Sequence, residues 1–437
     1  MPLRSEKAAG VAGASLVFRL SRAVAQLATV ALLTRLLGQA AFGSYASLMA
    51  LVAVLTVPTL LGLPRLVVRE TVRCLEAGDS HHLRSFSAWV TRILRRSTLL
   101  AVLVGAVVLA LTSSSELRSA GPALLLVPAT AFMVVRAAQL RALGSGIAAQ
   151  FFEVLAGPVI FLVLVGAAWT LGSGESVDVG AVVLMRLAGV ALALVTVSLL
   201  LGRRVPAADR RGTPPPPLSD EARADHLRSL LFLALTGGVY TLNGNLDMLL
   251  VHHLLGGEEA ALYRIAGVTA GSVAIVTQSL NAAIGPVMAK LLASEERAKL
   301  EALIARLVRV GFLPVLGFVL LMAAYGGPLM GLVFGEAYSA SYAAMLLLTV
   351  AVVSPLWFGV AGLLLSMAGE ERRILPIGLR ALALNLVLNL MLIRDFGPEG
   401  AAFATAVATL VWNLELWRAA LVHARVNTLR WAMVWRR

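Results

Sequence analysis

The chain has 437 residues, 59% of them hydrophobic and 14% charged, with a formal net charge of +13. The apolar residues form about a dozen blocks spread over the whole length, each near the roughly 20 residues that one helical bilayer crossing needs. This leaves nothing for a large soluble domain, and the single cysteine, Cys74, excludes an intrachain disulfide or thiolate metal cluster.

In chain order, the first block (15–37) carries Arg19 and Arg22 and lacks a cleavage site, so it is expected to be a span and not a signal peptide. Eleven more follow at 41–63, 88–112, 120–142, 147–171, 179–202, 229–255, 260–289, 307–328, 342–368, 374–393 and 400–422. Backbone groups in hydrocarbon must pair within their own segment, so each is expected to be a helix. The fold class is therefore all-α, a polytopic membrane protein with about 12 transmembrane helices in two six-helix lobes, 1–202 and 229–422. Between them, 203–228 reads as a Pro/Arg-rich cytoplasmic linker, stiffened by four prolines at 214–217. The segment 423–437 mixes Arg with Trp431 and Trp435 and reads as a basic amphipathic tail on the membrane surface.

Loop charge sets the orientation. With the N-terminus inside, 27 cations fall on the inner connectors and adjoining helix ends, and two, Arg118 and Arg394, fall outside. The positive-inside rule then places both termini in the cytoplasm. The same placement explains the basic balance without nucleic acid. No outer loop exceeds about 16 residues, which argues against a membrane glycosyltransferase or polymerase that needs an outer domain.

The two halves repeat. Thr34-Arg-Leu-Leu-Gly-Gln-Ala-Ala-Phe-Gly-Ser-Tyr45 aligns with His252-His-Leu-Leu-Gly-Gly-Glu-Glu-Ala-Ala-Leu-Tyr263 at a constant offset of 218. Both copies bridge the first two helices of their half. An even helix number per half makes the repeats parallel.

Polar residues inside spans are costly and are the candidates for function, since a charge at mid-span costs roughly 2.5–3.5 kcal/mol. Arg19, Arg22, Gln26 and Thr29 form one stripe on the first helix; Thr236, Tyr240, Asn243 and Asp247 form one on the seventh. Arg136, Glu153, Arg186 and Arg264 lie within other spans, with Arg136 and Glu153 placed to pair. Asn385 and Asn389 share a helix face and suit interhelical hydrogen bonding. The buried cations outnumber the acids, which favours an anionic substrate such as a diphosphate, because the Arg fork matches phosphate oxygens. The candidate substrate residues are Arg19, Arg22, Arg186, Arg264, Gln26, Tyr240 and Asn243. Asp247 and Glu153 are candidates for ion coupling or for a latch, with Arg264 the expected partner of Asp247. No nucleotide-binding loop is present and no cofactor is expected.

The chain resembles the polysaccharide biosynthesis flippases (Wzx-type O-antigen translocases) of the multidrug/oligosaccharidyl-lipid/polysaccharide exporter superfamily. The resemblance rests on residues 33–45, on 246–256 with Tyr263, and on Gly331-Leu-Val-Phe-Gly-Glu-Ala-Tyr338. Further along it includes Asn385-Leu-Val-Leu-Asn389 and Phe396-Gly-Pro-Glu-Gly-Ala-Ala-Phe-Ala-Thr405. It implies two lobes around a central cavity and passage of undecaprenyl-diphosphate-linked oligosaccharide to the outer leaflet of a bacterial inner membrane. The implied partners are that substrate, membrane lipids, a polysaccharide polymerase and glycosyltransferases. By helix, Arg19, Arg22 and Arg264 match the intramembrane arginines of related flippases. The competing readings are a cation-coupled multidrug exporter of the same superfamily and a membrane glycosyltransferase or polymerase.

Overall fold

A computed structural model describes residues 2–60, 62–111, 121–171, 177–204 and 218–429. The prolines of the linker and the tail from Arg430 onward, including Trp431 and Trp435, lie outside these residues. Every element among the described residues is helical. The chain forms two compact units, Met1–Thr241 and Leu242–Arg437.

The first unit contains α1 (Pro2–Leu37), α2 (Gln39–Leu60), α3 (Leu63–Ala77), α4 (Ser80–Leu111) and α5 (Leu126–Ala142). It continues with α6 (Gly146–Phe151), a π-helical turn (Phe152–Ala156), α7 (Gly157–Leu171), α8 (Val179–Arg204) and most of α9 (Asp220–Asn243). Within it, α7 packs on both α1 and α8, while α5 packs on α2, α3 and α8. The contact between α7 and α8 is close: a Cβ on Gly189 would stand 3.0 Å from the Gly157 carbonyl oxygen. A core of Leu63, Phe86, Trp89, Leu94 and Val135 takes in Leu218 and Leu230, so the chain that follows the prolines is seated on this unit.

The connector after α2 is itself a helix. In α3, Leu63, Leu66, Val67, Glu70 and Cys74 are buried, while Arg65, Arg69 and Arg73 step along the exposed face. Its limits are written in the sequence: Gly62 and Gly78 both sit at positive φ, and Pro64 stands in the first turn.

The second unit contains α10 (Leu246–Leu255), α11 (Gly257–Gly271), α12 (Ala274–Ala293), α13 (Arg297–Phe334) and α14 (Tyr342–Trp357). These are followed by α15 (Ala361–Met367) and α16 (Glu371–Ala419). Its core joins α12 to α16 through Val273, Met288, Leu300, Leu307, Val353, Leu364 and Leu416.

Three expected spans are broken. The segment 229–255 divides into α9 and α10 at residues 244–245. Within 260–289, α11 and α12 meet at a 43° bend. Within 342–368, α14 ends at a turn where Gly359 and Val360 have positive φ, and α15 follows. Within α16, two helical halves meet at Gly397, whose non-helical backbone (φ 59°, ψ −144°) separates the expected spans 374–393 and 400–422. Nine helices among the described residues are long and apolar enough to cross a bilayer, or ten if the bent pair is one span. The expected twelve is not reached by that measure.

The tail also departs from expectation. After a π-helical turn (Ala420–Ala424), Val426 and Thr428 are fully buried instead of lying on a surface. The Thr428 hydroxyl donates to the Phe358 carbonyl (2.6 Å), and the Asn427 N–H donates to Glu301 Oε1 (3.2 Å). A Cβ on Gly359 would come within 2.3 Å of the Thr428 carbonyl oxygen, so this seat requires glycine.

Candidate functional site

The repeat is visible in the geometry of both units. Gly38, between α1 and α2, and Gly256, between α10 and α11, turn the chain at φ 72° and 95°. Seven residues on, each copy presents a buried tyrosine, Tyr45 or Tyr263. The two tyrosines meet opposite charges.

In the first unit Tyr45 meets a cation. Arg186 Nη1 donates to the Tyr45 hydroxyl (3.3 Å), and its guanidinium lies 5.3 Å from the Phe161 ring centroid. The Tyr45 and Phe161 rings stack at 6.5 Å. The tight α7–α8 packing at Gly157 and Gly189 brings Phe161 and Arg186 together. Arg22 lies within electrostatic reach of Arg186, Arg19 and Glu153. Three of the expected substrate residues, Arg19, Arg22 and Arg186, are thus gathered on α1 and α8. Gln26 is exposed one turn beyond Arg22, and Thr29 turns inward, its hydroxyl donating to the Ala25 carbonyl (2.6 Å).

The acid of this region makes its direct ion pair outside the cluster. Glu153, on the π-helical turn, is ion-paired with Arg141. Among the described residues, no carboxylate is bonded to Arg22 or Arg186. The expected pairing of Glu153 with Arg136 is replaced: Arg136 Nη1 donates to Gln139 Oε1 (3.0 Å), one turn along its own helix. The wider π turn places Glu153 opposite Arg141 at the end of α5. A π turn inside a helix is a frequent feature of functional sites.

In the second unit Tyr263 meets an acid. Asp247 is 4% exposed and lies in the first turn of α10, where the helix dipole favours a negative charge. Its Oδ1 accepts from Asn385 Nδ2 (2.8 Å) and Asn389 Nδ2 (2.7 Å). Its Oδ2 accepts from Thr405 Oγ1 (2.6 Å) and the Tyr263 hydroxyl (3.0 Å). Four donors from α11 and from both halves of α16 converge on one carboxylate. Asn385 and Asn389 are fully buried and join helices, as their shared face implied.

Arg264, the expected partner of Asp247, is not among its partners. The neighbouring residue Tyr263 reaches Asp247 instead, and Arg264 projects about 100° further round α11. The expected seventh-helix stripe is also broken. Because α9 ends at Asn243 and α10 starts at Leu246, Asp247 does not continue the face of Tyr240 and Asn243. Tyr240 is 73% exposed, Asn243 is half-buried, and the Thr236 side chain lies outside the described residues.

Sequence patterning does not mark Tyr45, Phe161, Arg141, Tyr263 or Thr405 as site residues. Tyr45 and Tyr263 are within its reach, since they are the aromatic pair of the repeat. Phe161 sits in a featureless apolar run and carries no signal.

The model of one family, described as polysaccharide biosynthesis protein, matches residues 32–343. No curated protein matches the chain. Among solved structures, the chain is similar to an inward-facing multidrug resistance MATE family transporter of the MOP superfamily. The TM-score is 0.67 at 16% identity, covering 96% of this chain and 99% of that one. It is also similar to the Vibrio cholerae MATE transporter VcmN in a mutant form, with a TM-score of 0.61, 16% identity and coverage of 96% and 97%. A third is a MOP superfamily transporter from Pyrococcus furiosus, whose binding pocket is described as of reverse polarity (TM-score 0.61, 17% identity, coverage 94% and 95%). The fold is therefore that of a multi-pass MOP superfamily transporter, and the chain belongs to the polysaccharide biosynthesis protein family.

Proposed function

We propose that the protein flips an undecaprenyl-diphosphate-linked oligosaccharide from the cytoplasmic to the outer leaflet of a bacterial inner membrane. The product feeds assembly of a surface polysaccharide: O-antigen, capsule or exopolysaccharide. The protein moves its substrate by alternating access and makes or breaks no bond in it. Both termini lie in the cytoplasm, and a polysaccharide polymerase and glycosyltransferases act on either side of the step.

The observation that carries this reading is the cation cluster on α1 and α8. Arg22 and Arg186 stand within electrostatic reach of each other. No carboxylate among the described residues is bonded to either, and the nearby acid is already taken by Arg141. Like charges brought together inside a membrane protein raise its energy unless an anion completes the site. Two guanidinium forks suit a diphosphate. A cationic drug, the substrate of the competing exporter reading, would be repelled by the same cluster. Membership of the polysaccharide biosynthesis family points the same way.

The test is export of surface glycan by cells carrying Arg22→Ala or Arg186→Ala proteins that insert normally. Each is expected to impair export strongly. The matching Lys variants are expected to be intermediate, since a point charge lacks the bidentate fork. Wild-type export from both Ala variants would overturn the reading.

A further inference from the structure

At one end of the second unit, a pocket of about 610 Å³ opens between the start of α16 and its far end. Arg372, Arg373 and Arg380 line it from one side, and Glu415, Arg418 and His423 from the other. The two acids of the pocket are each taken: Arg373 pairs with Glu370, and Arg380 with Glu415. Arg372 and Arg418 are exposed and form no ion pair among the described residues. The pocket therefore keeps a net positive charge that no described residue neutralises.

The helix face above the pocket is apolar. Seven and eleven residues beyond Arg380, close to whole turns, Val387 and Met391 lie on the same side and are 53% and 65% exposed. The opposite side of this helix carries Asn385 and Asn389 and is fully buried. Leu421 and Val422, also exposed, flank the pocket beside His423. A cationic pocket with an apolar stripe rising from it matches a ligand that has an anionic head and hydrocarbon tails.

We infer that this pocket binds an anionic phospholipid, with the phosphodiester headgroup against Arg372 and Arg418 and the acyl chains along Val387 and Met391. Basic pockets between transmembrane helices at a membrane surface recognise such headgroups through charge and hydrogen bonds to phosphate. The site lies wholly in the second unit and shares no residue with the cluster of Arg22 and Arg186, so it stands whether or not the substrate proposed above is right.

The test uses the full-length protein in detergent, titrated with phosphatidylglycerol or phosphatidylcholine and followed by native mass spectrometry. The expected result is a first phosphatidylglycerol bound at least tenfold more tightly than phosphatidylcholine. In the Arg372→Ala/Arg418→Ala double variant, that affinity is expected to fall by roughly fivefold per arginine removed. Both residues are exposed and outside any ion pair among the described residues, so the melting temperature should not change, and a loss of lipid at unchanged melting temperature assigns the site. Equal binding of the two lipids, or phosphatidylglycerol affinity unaltered in the double variant, would overturn the proposal. So would displacement of phosphatidylglycerol by millimolar inorganic phosphate, which would mark the pocket as a site for soluble phosphate.

Discussion

Tyr45 and Tyr263 occupy the same place in the two halves of the chain and serve opposite electrostatic surroundings. In the first unit the tyrosine hydroxyl accepts from Arg186, and the neighbouring Arg22 has no acid bonded to it among the described residues. In the second unit the hydroxyl donates to Asp247, whose two oxygens are occupied by four donors. One half thus holds charge that remains open, and the other holds charge that is closed. An open cluster of like charge calls for a ligand of opposite sign. A carboxylate with every acceptor site filled, tying α10 to α11 and to both halves of α16, has the properties of a structural tie. Burying such an acid is costly, and the donors are what offset that cost. Against expectation, the candidate coupling site or latch is held by neutral partners, and the arginine expected to pair with it is elsewhere.

This contrast can be broken from either side. The largest effect is expected from removing both open charges. A charged hydrogen bond is worth about 1.5–3 kcal/mol, so Arg22→Ala with Arg186→Ala should lower glycan export roughly 100-fold or more, at normal levels of inserted protein. Next comes the closed site. Asp247→Ala leaves four buried donors without their acceptor and should cost about 3–5 kcal/mol, seen as a lower melting temperature and reduced membrane levels. Asp247→Asn is expected to cost less but in the same direction, because its amide turns two hydrogens toward groups that already donate. If Asp247→Asn were as stable as wild type and lost only ion dependence of transport, the residue would be a coupling site and the contrast would fail.

A smaller effect is expected at the seat of the tail. Gly359→Ala puts a Cβ against the Thr428 carbonyl at a positive-φ position. It should cost about 1–3 kcal/mol and expose Arg425 to trypsin faster than in the wild type. The smallest belongs to the pair of Glu153 and Arg141, whose side chains are 28% and 38% exposed. Glu153→Gln should change stability by less than about 1 kcal/mol. Because it leaves the Arg22 cluster more positive, it should tighten the hold on an anionic substrate, read as a lower substrate concentration for half-maximal transport.

Much of this is legible in the sequence, and the limits have physical causes. Apolar block length marks the chain as membrane-spanning, because the bilayer sets that length, but it does not show that three of the blocks are broken. Gly38 and Gly256 mark the repeat, because each turns the chain where the other residues of the motif are helical. Gly62, Pro64 and Gly78 bracket α3, yet its arginines at every fourth position pass for loop charge when they are counted by location and not by phase. The breaks after Asn243 and at residues 272–273 carry no Pro signal, only the weaker one of an adjoining glycine, Gly244 or Gly271. That Arg19 and Arg22 lie together follows from their shared stripe on α1, whereas the approach of Arg186 from α8 does not. The partners of Asp247 do not follow, since opposite charge suggests Arg264 when neighbouring hydroxyl and amide groups are the nearer donors. Sequence periodicity gives the face a residue occupies but not which neighbour stands across from it.

In the proposed function the open cluster holds the substrate diphosphate and the closed site does not. The direct measurement is equilibrium binding of undecaprenyl diphosphate to purified protein in detergent, comparing wild type, Arg22→Ala/Arg186→Ala and folded Asp247→Asn. The double arginine variant is expected to lose affinity at least tenfold, while Asp247→Asn stays within about twofold of wild type. Unchanged affinity in the arginine variant, or a loss confined to Asp247→Asn, would contradict the proposed function.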